Sequence, residues 1–184
     1  MKFIPTDLPD AYIVELEPHT DERGFFARMF CAGEFTDHGL EPAIAQANIA
    51  FNRRKGTMRG MHYQVPPAAE TKYVRCTRGA ILDVIIDLRP QSPTYLRNLS
   101  VELTADNRRG LYVPQMFAHG YLTLADETEV NYLVSEYYTP GTERGIRYDD
   151  PVVGFDWPGA ITVISEKDRA WAPFDTSELG GASG

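Results

Sequence analysis

The stretch Lys72-Tyr73-Val74-Arg75-Cys76-Thr77-Arg78-Gly79-Ala80-Ile81-Leu82-Asp83-Val84-Ile85-Ile86-Asp87 decides the fold class. It holds two runs rich in β-branched and aromatic residues, 72–77 and 80–87, broken at Gly79. Such short runs between turn residues read as strands. The pattern continues in both directions. Runs 12–16, 25–30, 44–51 and 58–62 precede it, and 99–103, 110–113, 120–124, 130–135 and 145–148 follow, punctuated by Gly, Pro and Asp. Only two stretches look helical: 32–38, stopped by Gly39, and the region around 168–171. Glycine is favoured just past a helix end. Many short strands with closely spaced turns imply a mainly β sandwich or barrel, and a barrel also removes exposed sheet edges. No Gly-rich loop opens a helix, which excludes a dinucleotide-binding or P-loop design.

The chain has 184 residues, 43% hydrophobic and 24% charged, with a formal net charge of −8. That length suits one domain over 1–184, with a small polar tail at 177–184 expected to fray. The acidic balance argues against nucleic acid or an anionic membrane as partner. Cys31 and Cys76 form no closely spaced pair and read as reduced thiols. Residues 1–7 hold no apolar run of signal-peptide length, and nothing approaches a membrane span. A cytoplasmic location is therefore expected.

Polar residues on strands point to the chemistry. Side chains alternate between faces, so Gln46 and Asn48 share one face while Ala47, Ile49 and Phe51 share the other. The amides either face solvent or line a polar barrel interior. Tyr132 shares a face with Val130 and Val134 and should point inward, where its hydroxyl needs a partner. His62 and Lys72 stand on neighbouring runs. A lone strand histidine is usually structural. Together with a lysine and a tyrosine it can do more. A neutral imidazole can remove a proton from a carbon beside a ketone, and an ammonium can stabilise the enolate. A tyrosine can return a proton to the opposite face, which amounts to epimerisation of a carbonyl substrate. His119, beside Gly120, is either a turn residue or a phosphate ligand; Arg23 and Arg59 are further anion candidates. Strict alternation puts Arg59 and His62 on opposite faces, so they meet only if the strand is bulged near Gly60. A metal centre built from two histidines one residue apart and a following glutamate has no match. Gln64 stands two after His62, and His19, His38 and His119 are scattered. No metal and no cofactor are expected.

Several motifs in one order make the chain resemble the dTDP-4-dehydrorhamnose 3,5-epimerase family of the cupin superfamily. They are Asp21-Glu22-Arg23-Gly24-Phe25-Phe26, Gln46-Ala47-Asn48, Gly56-Thr57-Met58-Arg59-Gly60-Met61-His62-Tyr63-Gln64 and Asp83-Val84-Ile85-Ile86-Asp87-Leu88-Arg89. Phe117-Ala118-His119-Gly120, Glu143-Arg144-Gly145-Ile146-Arg147-Tyr148-Asp149-Asp150-Pro151 and Ser165-Glu166-Lys167-Asp168 follow. The resemblance implies a cupin-type jelly-roll β-barrel with short flanking helices. It implies an epimerase of a nucleoside-diphosphate-linked 4-keto-6-deoxy sugar. By resemblance, His62 is the general base, Asp168 orients it, Tyr132 is the acid and Lys72 stabilises the enolate. Arg59, His119, Gln46 and Asn48 hold pyrophosphate and sugar, with Glu143 and Lys167 alongside, and Tyr138 stacks on the base. Family members are homodimers with an exchanged N-terminal strand, so Arg23 and Phe26 would complete the neighbour's nucleotide site.

One position departs from the family. Arg28 stands where a glutamate usually contacts the nucleotide. A guanidinium only donates, which suits cytosine or guanine edges better than thymine. Alternatively Arg28 turns to solvent or to an acidic neighbour. Other readings are inversion at C3 or C5 alone, a keto-sugar isomerase, a non-catalytic sugar-nucleotide binder, and a metal-dependent cupin oxygenase or isomerase. The last is disfavoured by the missing ligand pair.

Overall fold

The computed structural model describes residues 1–176, so the expected tail at 177–184 lies outside the described residues. In chain order the elements are β1 (Lys2–Pro5), β2 (Tyr12–Glu15), β3 (His19–Asp21), β4 (Gly24–Phe26), α1 (Ala32–Asp37), β5 (Gln46–Asn52), β6 (Thr57–Gln64) and β7 (Lys72–Arg78). Then come β8 (Ala80–Asp87), β9 (Asn98–Thr104), β10 (Gly110–Val113), β11 (Phe117–Thr123), β12 (Thr128–Val134), β13 (Glu143–Gly145), β14 (Val163–Ile164) and α2 (Glu166–Arg169). One sheet runs β1-β2-β10-β7-β12-β5 and the other β13-β6-β11-β8-β9, with β14 added parallel to β6. The other pairings are antiparallel. This is a jelly-roll barrel, as the resemblance implies. The two runs of the deciding stretch lie in different sheets: at Gly79 (φ 75°) the chain leaves β7 for β8 on the other wall.

The core forms where the sheets face each other. Val74 and Cys76 of β7, Ile81 and Ile85 of β8, Leu111 and Val113 of β10 and Val130 of β12 meet there, nearly or wholly buried. The alternate residues of β8, Val84 and Ile86, are also fully buried. They pack on the outer face of their sheet under the C-terminal segment, with Ile146 and Val153. Burial on both faces explains why 80–87 reads as a nearly continuous apolar run. Phe35 of α1 and Leu40 cover part of the other sheet's outer face, against Tyr73 and Tyr112. Burying each such side chain contributes roughly 1.5–3 kcal/mol. The helix ends as its glycine requires. Gly39 (φ 71°) donates to Thr36 O and Leu40 N donates to Phe35 O, which closes the last carbonyls.

Several expected bounds shift. The run 25–30 stops at Phe26, and β4 pairs only with β3 in an exposed hairpin. The second helix is Glu166–Arg169, one turn capped by Ser165, and Trp171 follows it. The first strand pairs with β2 of its own chain. No helix is long and apolar enough to cross a membrane, among the described residues.

Candidate active site

The site begins with a bulge. His119 opposes His62 and Tyr121 opposes Arg59, so β6 carries one residue more than β11 over this span. Gly60 absorbs it at φ 120°. A Cβ there would lie 2.4 Å from Gly120 Cα, so only glycine fits. The bulge turns Arg59 and His62 onto one face, which resolves the conflict with strict alternation. Both line one cavity of about 200 Å³ with Lys72, His119, Tyr121, Tyr132 and Asp168. It continues into a lobe of about 150 Å³ lined by Gln46, Asn48, Gln64, Glu70, Tyr138 and Glu143 as well as His62, Lys72 and Tyr132. Gln46 and Asn48 therefore face the interior, while Ile49 is 69% exposed on the other side of β5.

His62 is held by a carboxylate. Its Nε2 lies 2.6 Å from Asp168 Oδ1. Ser165 accepts from Asp168 N at 3.0 Å and fixes the short helix; Asp168 Oδ2 accepts from Gly60 N at 3.4 Å. Burial pushes the Asp168 carboxyl up, but the His62 hydrogen bond and charge outweigh it and hold the pKa below the usual carboxylate value. An ionised Asp168 accepts from Nε2–H and leaves the Nδ1 lone pair free. The Trp171 ring stands edge-on to the imidazole, 6.3 Å between centroids.

Lys72 and Tyr132 come from the facing sheet. Lys72 Nζ donates to His62 O at 3.3 Å and lies 3.3 Å from Glu70 Oε1. Tyr132 packs against the core, as its valine neighbours predicted. Burial raises its phenol pKa, partly offset by Arg59, so the hydroxyl keeps its proton at neutral pH. Arg59 is aimed by Asn52, whose Oδ1 accepts from Nε at 2.7 Å.

His119 is not a turn residue. It sits inside β11, and its Nε2 lies 2.7 Å from Oδ1 of fully buried Asp83 on β8. The cavity wall thus carries two His–Asp pairs, on histidines that stand opposite each other across β6 and β11. At the rim, Tyr138 N donates to Gln46 Oε1 at 2.9 Å, and Lys167 Nζ donates to Glu143 Oε2 at 2.5 Å. Three expected residues lie away from the cavity of their own chain. Arg23 pairs with Asp21 in the hairpin, Phe26 is 71% exposed, and Arg28 pairs with Glu34 at 3.3 Å.

Asp83, Glu70, Asn52 and Trp171 join the site without having been singled out. Asp83 left a signal: a carboxylate at an inward position between Ile81 and Ile85 must have a buried partner. Glu70 and Trp171 lie outside strands and left none.

Comparison with known proteins matches this architecture. The family model described as dTDP-4-dehydrorhamnose 3,5-epimerase matches residues 5–176. A dTDP-4-dehydrorhamnose 3,5-epimerase of Methanothermobacter thermautotrophicus is 45% identical over 175 residues, covering 94% of each chain. The crystal structure of a Bacillus anthracis dTDP-4-dehydrorhamnose 3,5-epimerase with TDP and PPi bound superposes with a TM-score of 0.90. It is 38% identical, over 94% of this chain and 99% of that one. ChmJ, a 3'-monoepimerase from Streptomyces bikiniensis in complex with dTDP-quinovose, gives a TM-score of 0.86 at 33% identity, over 96% of this chain and 90% of that one. The chain belongs to the dTDP-4-dehydrorhamnose 3,5-epimerase family.

Proposed function

We propose that this chain inverts carbons flanking the ketone of a thymidine-diphosphate-linked 4-keto-6-deoxyhexose, without metal or cofactor. The observation that carries the mechanism is the placement of His62 and Tyr132 on opposed sheets, lining one cavity, with Lys72 beside them. His62 Nδ1 takes the proton from the carbon next to the carbonyl. The C–H electron pair moves onto the carbonyl oxygen, where the Lys72 ammonium meets the enolate. Tyr132 donates its proton to the other face of that carbon. The phenolate and the imidazolium then re-equilibrate with solvent. Asp168 holds the imidazole in the required tautomer and stabilises its charged form.

Arg59, His119, Gln46 and Asn48 bind the sugar and pyrophosphate; Tyr138, Glu143 and Lys167 form the rim nearest the nucleoside. Arg28 is engaged by Glu34, so the nucleobase preference follows the relatives, which bind TDP or a dTDP sugar. The active form is a homodimer in the cytoplasm. Support comes from the exposed β3–β4 hairpin and from an apolar cleft on the outer face of the β5 sheet, lined by Met29, Ala47, Ile49 and Leu133. The hairpin places Arg23 and Phe26 in the neighbour's cavity.

Deuterium wash-in from heavy water into thymidine-, cytidine- and guanosine-linked 4-keto-6-deoxyhexoses tests the reading. Label is expected at C3, C5 or both of the thymidine-linked sugar. No exchange with any of them, at TDP concentrations that do bind, would reduce the chain to a binding protein. A catalytically competent monomer in dilute sedimentation runs would contradict the assembly.

A further inference from the structure

We propose that Glu70 is a positioning residue for Lys72, locked in place by the Gln64 side-chain amide. The inference rests on the enolate role of Lys72 set out above. The Lys72 and Glu70 side chains are 11% and 12% exposed, so this ion pair is largely withdrawn from water. A buried ammonium needs partners. Lys72 Nζ has two, His62 O and Glu70 Oε1, both at 3.3 Å. An ammonium carries three protons. One is donated to His62 O and the charge is paired with Glu70, and Lys72 lines both lobes of the cavity, so the ammonium still has a donor for the bound sugar.

Glu70 is itself held. Its Oε2 accepts from Gln64 Nε2 at 2.9 Å. The same NH2 faces Ala68 O at 3.2 Å and Tyr137 O at 3.3 Å. On the other side, Gln64 Oε1 accepts from Thr139 N at 2.9 Å and Thr142 Oγ1 at 3.0 Å. Three acceptors on the nitrogen side and two donors on the oxygen side leave the amide one orientation. Gln64 is 4% exposed. It therefore ties β6, the segment carrying Glu70 and the loop carrying Tyr138 into one rigid frame. Gln64 thus holds Glu70 against the ammonium from the same frame that carries the Tyr138 loop.

A double-mutant cycle separates positioning from mere structural support. Deuterium exchange into the thymidine-linked 4-keto-6-deoxyhexose and TDP affinity are measured for wild type, Glu70→Gln, Lys72→Met and the double variant. Glu70→Gln is expected to lower exchange about 10- to 100-fold, because small misplacements of a catalytic group cost that much. TDP affinity should stay within about twofold, since Glu70 acts on the ammonium and not on the nucleotide. In the Lys72→Met background the same substitution should change exchange by less than about twofold. Equal losses in both backgrounds would overturn the proposal, as would full exchange in Glu70→Gln. Glu70→Asp, which keeps the charge but shortens the reach, carries the cycle if the amide variant does not fold. Unchanged exchange in Lys72→Met alone would instead remove the enolate role of Lys72, and the proposed mechanism with it.

Discussion

Replacing Asp168 by asparagine changes one atom and tests how the base is prepared. Asp168 Oδ1 faces His62 Nε2 at 2.6 Å, and Oδ2 faces Gly60 N at 3.4 Å. A carboxylate accepts at both places. An amide accepts at only one. If its oxygen stays on Gly60, its NH2 faces Nε2 and draws the imidazole proton to Nδ1, which blocks the base. In the catalytic triad of serine proteases, that wrong-tautomer state costs about 10⁴ in kcat. If its oxygen turns to His62, its NH2 meets the Gly60 N–H, two donors in contact. A buried unsatisfied donor costs about 1–3 kcal/mol, or roughly 5- to 150-fold. The two orientations bracket the expected loss. Loss of the negative charge that stabilises the imidazolium adds to it. Asp168→Asn is therefore expected to slow deuterium exchange by about 10²–10⁴, less than His62→Ala, which should abolish it. The assay is exchange at saturating substrate, with TDP binding by calorimetry as a check that the site is formed. A wild-type exchange rate in Asp168→Asn would refute the tautomer argument.

Other outcomes follow from the same geometry. Gly60→Ala sets a Cβ 2.4 Å from Gly120 Cα and 2.8 Å from His119 O at φ 120°. It should cost about 2–5 kcal/mol in urea unfolding, and a neutral result would mean that the bulge is not required. Tyr132→Phe should keep exchange at the first carbon and lose inverted product; equal loss of both would remove Tyr132 as the acid. Acid should destabilise the fold through Asp168 and Asp87. Burial pushes both carboxyls up, but hydrogen bonds from His62, and from Arg89, Ser92 and Thr94 respectively, leave their pKa values lowered. Their contribution is fully present above the unfolded carboxylate value of about 4 and is lost as pH falls through the lowered folded values. Urea midpoints that rise on acidification from pH 5 to 3 would contradict this.

What could be read from the chain depended on how far apart the partners lie. Strands 80–87 and 110–113 are found with their expected bounds because each is buried on most of its length and bounded by turn residues. β1, β3 and β14 have four, three and two residues, and only their register against β2, β4 and β6 makes them strands. The run 25–30 looked longer than β4 because Phe25, Phe26, Met29 and Phe30 are apolar. Phe25, Phe26 and Met29 are exposed in a single chain, whereas Phe30 packs against the cluster under α1. Apolar content there marks an exposed apolar surface, not strand length.

The site followed the same logic. Alternation alone sends Tyr132 inward and puts Gln46 and Asn48 on one face, while leaving open whether that face is the interior. It does not reach distant partners: Asp168 is 106 residues from His62, and Asp83 is 36 from His119. The bulge shows how the two kinds of information join. Period-two alternation exposed a contradiction between Arg59 and His62 and located its remedy at Gly60. The remedy works because Gly60 and Gly120 face each other across two strands, each leaving room for the other's backbone. A Cβ on Gly120 would meet Arg59 O at 2.7 Å and Gly60 Cα at 3.1 Å, so the second glycine is as necessary as the first. Placing Gly120 directly after His119 lets one small residue serve both strands of the cavity wall. It admits the bulge that turns His62 inward, and it follows the histidine that stands opposite.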